Sequence, residues 1–152
     1  MYRVLIISVV IGWAINIKAQ IKVACVGNSI TENIALSNEQ KYPSILQDLL
    51  GNGYIVRNYG IGARTVLKKG DYPYWNEERY KEVLAWNPDI VIVKMGTNDA
   101  KAQNWAYKDN FESDYIEFIL SFQTLPSHPK VFICYPIPTF KDNFLPVEDQ
   151  LL

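Results

Sequence analysis

The chain has 152 residues, of which 49% are hydrophobic and 20% charged, with a formal net charge of -1. Such a composition suits a single globular domain with an ordinary buried core and argues against disorder. The sequence pI near 5.8 and the absence of a basic stripe along any predicted helix argue against nucleic acid as a partner.

The first residues place Arg3 ahead of an apolar run from Val4 to Ile15, followed by Lys18, Ala19 and Gln20. This pattern reads as a signal peptide over residues 1–19, with cleavage after Ala19 and a secreted or periplasmic mature chain. The run is shorter than the roughly 20 apolar residues that span a bilayer, so no stable membrane anchor is expected. The plain alternative is that VLIISVVI forms a buried first strand.

From Gln20 onward, short β-branched runs alternate with longer amphipathic stretches, the pattern of β-α-β units around a parallel sheet. Ile21 to Val26 predicts the first strand. Pro43 to Leu50 predicts a short helix, with proline in its first turn and Gly51 as its stop. Tyr54 to Asn58 predicts a second strand. Trp75 to Trp86 predicts a helix with Trp75, Tyr80, Val83 and Leu84 near one face, ending before Asn87-Pro88. Asp89 to Met95 predicts a third strand, Tyr107 to Phe122 a third helix, and Lys130 to Pro136 a fourth strand. Cys25 and Cys134 fall inside predicted strands, and without adjacency in the sheet they cannot form a disulfide. Both are read as core thiols.

In an open parallel sheet, ligands bind beyond the carboxyl ends of the strands. Three loops leave those ends: Gly27-Asn28-Ser29-Ile30-Thr31-Glu32, then Asn58 to Thr65, then Gly96-Thr97-Asn98-Asp99. A serine directly after a buried strand has its hydroxyl at the sheet's edge with main-chain N–H groups around it, which suits a nucleophile. It equally suits a helix N-cap, for which Ser29 or Thr31 with Glu32 nearby would serve. The small residues of the second loop allow the backbone to approach a ligand closely and to aim an N–H at a developing oxyanion. Asn98 could donate its side-chain amide to the same oxyanion, or act only as a turn residue.

Together, in this order, GNSIT, the Asn-x-Gly-rich loop and GTND resemble the SGNH/GDSL hydrolase family over nearly all of Ile21 to Pro138. The resemblance implies a flavodoxin-like, three-layer α/β/α domain with a parallel sheet and ester hydrolysis by a serine nucleophile. By that implication Ser29 attacks the ester carbonyl, and the oxyanion is held by the N–H of Ser29, a main-chain N–H of the second loop and the amide of Asn98. The family's oxyanion glycine aligns with Ala63, directly after Gly62, and alanine could serve if its φ is negative. Asn28 stands where the family more often has aspartate. The stretch Lys68 to Trp75, with Asn104-Trp105, is similar to a branch that includes sialate O-acetylesterase-like proteins. It points to acetylated carbohydrate as substrate, with Asn28, Gly62, Arg64, Trp75 and Trp105 as candidate contacts. Flat aromatics suit a sugar ring, but they serve equally to pack helices onto the sheet.

A serine hydroxyl needs a base, which the family supplies from a C-terminal Asp-x-x-His block. No such block is present in this sequence. The single histidine, His128, precedes its strand instead of following it, which places it at the other end of the sheet, roughly 20 Å away for a seven-residue strand. We therefore read residues 20–152 as a C-terminally incomplete hydrolase domain. Its activity should be impaired, and the fourth strand should lie at an exposed edge open to self-association. The alternative is a non-catalytic carbohydrate-binding or degenerate member. One histidine and two buried cysteines imply no metal, no loop carries a phosphate-binding pattern, and no cofactor is expected.

Overall fold

The computed structural model describes residues 19–136. The signal-peptide reading and the reading of an incomplete C-terminus fall on residues outside these.

Four parallel strands form one sheet in the order β2-β1-β3-β4, with β1 at Ile21–Gly27, β2 at Tyr54–Gly60, β3 at Ile90–Lys94 and β4 at Lys130–Ile133. The chain runs outward from β1 to β2, then crosses back to β3 on the other side, so β1 is the point where strand order reverses. In doubly wound sheets a crevice opens at that switch point, beyond the carboxyl ends of the strands.

Helices cover both faces. Helix α2 (Tyr42–Leu50) follows a single turn, α1 (Ser29–Glu32), and begins with Pro43 in its first turn, where the missing N–H is not needed. The opposite face carries α3 (Glu78–Trp86), the one-turn α4 (Ala102–Trp105) and α5 (Phe111–Gln123). On that side Ala24 and Val26 of β1 and Val91 and Val93 of β3 meet Val83, Phe118 and Phe122 in one buried cluster. The alternation of β1 sends Val23 and Cys25 to the other side. Phe118 sits centrally, 5.1 Å from Trp75, 5.7 Å from Tyr80 and 5.0 Å from Phe122 between ring centroids.

The strand and helix expectations differ from the structure mainly at ends. The predicted helix from Trp75 breaks at Glu77, which is extended at φ -84° and ψ 145°; its carboxylate is drawn to Arg64 at 2.7 Å, and the helix restarts at Glu78. The fourth strand ends at Ile133 rather than Pro136. The Cys134 N–H still reaches the Val93 carbonyl at 2.8 Å, and Pro136, which lies against Gly96, has no N–H to extend the ladder. Phe132 and Ile133 are more than half exposed. Cys25 and Cys134 are free thiols, with β3 between their strands. Cys25 is buried as expected, whereas Cys134 lies past the strand end and is only half-buried. Burial pushes the Cys25 thiol up to about 11, which leaves it without appreciable thiolate at neutral pH.

Candidate active site

At the carboxyl end of β1 the backbone is packed so closely that only glycine fits: a Cβ on Gly27 would lie 2.0 Å from Thr31 Oγ1 and 3.0 Å from the Lys94 carbonyl oxygen. Asn28 follows, 1% exposed, and it is this residue that caps α1. Its Oδ1 accepts the Ile30 N–H at 3.0 Å, and its carbonyl accepts the N–H groups of Thr31 and Glu32, each at 3.0 Å. The capping role that the sequence left open for Ser29 or Thr31 thus belongs to Asn28. Ser29, the first residue of α1, is exposed, and neither its hydroxyl nor its N–H is bonded to a described residue.

The second loop is tied to α1 along its length. Asn58 donates Nδ2 to the Thr31 carbonyl at 2.9 Å and accepts the Gly60 N–H at 2.9 Å, and the Ile61 N–H reaches the Gly27 carbonyl at 2.9 Å. The Gly62 N–H donates to Glu32 Oε2 at 2.6 Å. A Cβ on Gly62 would lie 3.8 Å from that of Ser29, so this loop forms one wall beside the serine. Because the Gly62 N–H is engaged by Glu32, it is not free for a ligand.

The condition set for Ala63 as an oxyanion donor, a negative φ, is not met: it lies at φ 65° in the left-handed region, so the role requires a strained backbone. The chain must reverse here between its attachment to α1 and its attachment to the third loop, and a left-handed residue makes that turn. Alanine in this conformation carries a strain of about 1–2 kcal/mol, of the kind that collects at functional loops. Its N–H has no partner among the described residues. Ala63→Gly is expected to stabilise the fold by up to about 1 kcal/mol, the relief of strain exceeding the added unfolded-state entropy, as read from urea denaturation midpoints. Unchanged or lower stability would mean that the turn is not strained.

From Ala63 the chain passes to the third loop. Arg64 donates Nη1 to the Gly62 carbonyl at 2.8 Å and Nε to Glu77 at 2.7 Å, and its guanidinium lies 5.5 Å from the Tyr72 ring centroid. Asn98 donates Nδ2 to the Arg64 carbonyl at 3.0 Å and is nearly buried at 7% exposure; the second proton of that amide makes no bond to a described residue. Asn104, which the sequence reading did not single out as a site residue, sits beneath. Its Nδ2 donates to the Asn98 carbonyl at 2.8 Å and to Asp71 Oδ1 at 2.9 Å, and its Oδ1 accepts the Asp71 N–H at 2.8 Å.

The aromatic candidates separate. Trp75 is partly buried; it donates its indole N–H to the Val66 carbonyl at 2.7 Å and packs edge-on against Tyr80 and Phe118. Trp105 packs on Phe111 at 5.7 Å, with its Nε1 buried and unpartnered among the described residues. His128 lies before β4, its loop held to the amino-terminal end of β3 by Ser127 bonds to Asn87 and Pro88. That is the edge of the sheet opposite Ser29.

A serine at the switch point of a doubly wound parallel sheet, walled by a small-residue loop and a buried asparagine, defines a hydrolase-like α/β class. The chain belongs to the GDSL-like Lipase/Acylhydrolase family, whose sequence model matches residues 25–150. It is 41% identical over 143 residues to an acetylxylan esterase of Xylanibacter ruminicola, a match that covers 82% of this chain and 30% of that protein. Among solved structures it resembles Est24, a carbohydrate acetylesterase from Sinorhizobium meliloti, at TM-score 0.58 and 24% identity over 78% of this chain and 65% of that one. It also resembles the aryl esterase of M. smegmatis, at TM-score 0.52 and 22% identity over 74% and 62%. These structural likenesses establish the shared fold. The chain spans under a third of the curated relative's length.

Proposed function

We propose that this chain carries the nucleophile and oxyanion hole of a carboxylic ester hydrolase that removes acetyl groups from carbohydrate. The observation that carries the reading is that Asn28 caps α1 in place of the serine, which leaves the exposed Ser29 hydroxyl and the N–H groups of Ser29 and Ala63 without a partner among the described residues, Ala63 being on a loop whose Gly62 backs onto Ser29. Ser29 Oγ attacks the ester carbonyl carbon. The carbonyl oxygen takes the negative charge and is held by those two N–H groups and the Asn98 amide, donors already fixed by the protein and needing no reorganisation. Collapse of the tetrahedral species breaks the bond to the sugar oxygen, which leaves as a hydroxyl on taking up the proton that Ser29 gave up, and leaves acetyl-Ser29 for water to hydrolyse. The choice of acetyl ester and carbohydrate is supported by the acetylxylan esterase and carbohydrate acetylesterase relatives.

The serine proton needs an acceptor, and His128 stands at the wrong edge of the sheet for it. The carboxylate that the contacts bring beside Ser29 is Glu32. The position of His128 favours a second reading, in which the site binds acetylated carbohydrate without turning it over. Acetylated and deacetylated xylo-oligosaccharides titrated calorimetrically, with acetate release followed in parallel, separate the two. Release of acetate that is lost in Ser29→Ala supports hydrolysis, affinity without release supports binding, and neither affinity nor release contradicts both.

A further inference from the structure

The GTND turn ends in a carboxyl group that the reaction above leaves unused. Asp99 is fully buried. Its Oδ1 accepts two consecutive main-chain N–H groups, those of Val66 at 2.8 Å and Leu67 at 2.7 Å, while Oδ2 is buried without a partner among the described residues. Burying a carboxyl with one oxygen unsatisfied is costly, so fold stability alone gives little reason to have it there. Its location suggests another. Asn98 and Asp99 are adjacent, and together they hold the Arg64 carbonyl and the N–H groups of Val66 and Leu67. This is the segment that follows Ala63 directly, and on the other side of Ala63 the loop is held by Glu32 at Gly62.

We propose that Asp99 is a positioning residue for the oxyanion hole: by holding Val66 and Leu67 it fixes the Ala63 N–H relative to the amide of its own neighbour, Asn98. The catalytic meaning of this brace rests on the esterase reading above, whereas the brace itself can be tested without turnover. The titratable groups that face Asp99 are Asp71, from the loop following the brace, and Tyr115 of α5. Burial pushes the Asp99 carboxyl up to about 6, opposed in part by the Leu67 and Val66 N–H bonds. When it ionises, the charge strengthens the pull on those two N–H groups and leaves the unpartnered oxygen bare.

The test follows the main-chain amide of Ala63 and the side-chain amide of Asn98 by nitrogen-resolved NMR on the full chain between pH 4.5 and 8. In the wild type both signals should move together with an apparent midpoint near 6. In Asp99→Asn, which keeps an oxygen for the two N–H groups but cannot ionise, both should be flat. Asp99→Leu, which leaves two buried N–H groups unpaired, should displace both signals at every pH and lower kcat about 10–100-fold with KM little changed, as small misplacements of catalytic groups do. Flat signals in the wild type, or an identical titration in Asp99→Asn, would overturn the proposal whether or not the leucine variant folds. A titrating wild type without turnover supports the brace and counts against the esterase reading alone.

Discussion

Ser29→Ala is expected to remove all ester hydrolysis attributable to the site, and Asn98→Ala to lower it by about 10²–10³-fold, the loss found when one oxyanion donor is deleted. The two effects have different origins. On the proposed mechanism, no acyl-enzyme would form without the Ser29 hydroxyl, whereas without the Asn98 amide the attack would still occur but its oxyanion would keep only the N–H groups of Ser29 and Ala63. Background-subtracted hydrolysis of an aryl acetate measures both variants. Asn98→Ala also breaks the bond to the Arg64 carbonyl, so its thermal midpoint must be read alongside; a drop in kcat that only tracks a drop in folded fraction would contradict the oxyanion role.

Gly60→Ala is expected to destabilise the fold by about 3 kcal/mol or more, at or beyond the upper end of usual overpacking costs. A Cβ there would lie 2.2 Å from the Glu32 nitrogen, 2.6 Å from the Thr31 carbonyl carbon and 2.8 Å from the Glu32 Cα. All three are main-chain atoms of α1, the turn that carries Ser29, and no rotamer change can move them aside. Gly53→Ala is the matched control, since nothing lies within 4 Å of its Cβ position; it should change stability by about 0.5 kcal/mol or less. Urea denaturation of the two variants measures the difference. Equal stability would mean that the second loop does not pack on α1 as closely as the structure has it.

The sheet was legible because its signal is local. The central strands are buried on both faces and therefore read as continuous apolar runs, and all four were placed to within a few residues. The ends are less legible because they are set by tertiary partners: Glu77 leaves the helical conformation where it meets Arg64, and β4 stops at Ile133 soon after β3 ends at Lys94. The same division holds at the site. The order of the three loops at the strand ends can be read from the chain, and with it the carboxyl end of the sheet as the place of Ser29. Which residue caps α1 could not be, because Asn28, Ser29 and Thr31 are all competent caps and the choice is made by the backbone conformation that Gly27 and Asn28 adopt on leaving β1. The sign of φ at Ala63 was equally hidden, since alanine gives no sequence signal for a left-handed turn. Asn104 and Asp71 are joined across 33 positions, and Glu32 to Gly62 across 30, contacts no periodicity reports.

The central claim is that Ser29 is a nucleophile facing an oxyanion hole built from Ser29, Ala63 and Asn98, and its most direct test is a crystal structure of the chain after prolonged reaction with an aryl phosphonate, a stable mimic of the tetrahedral intermediate. The account predicts one phosphonyl group, on Ser29 Oγ, with a non-bridging oxygen about 3 Å from the Ser29 N–H, the Ala63 N–H and Asn98 Nδ2. A phosphonyl group on another residue, or one on Ser29 whose oxygen points to solvent with Ala63 and Asn98 unengaged, would contradict it.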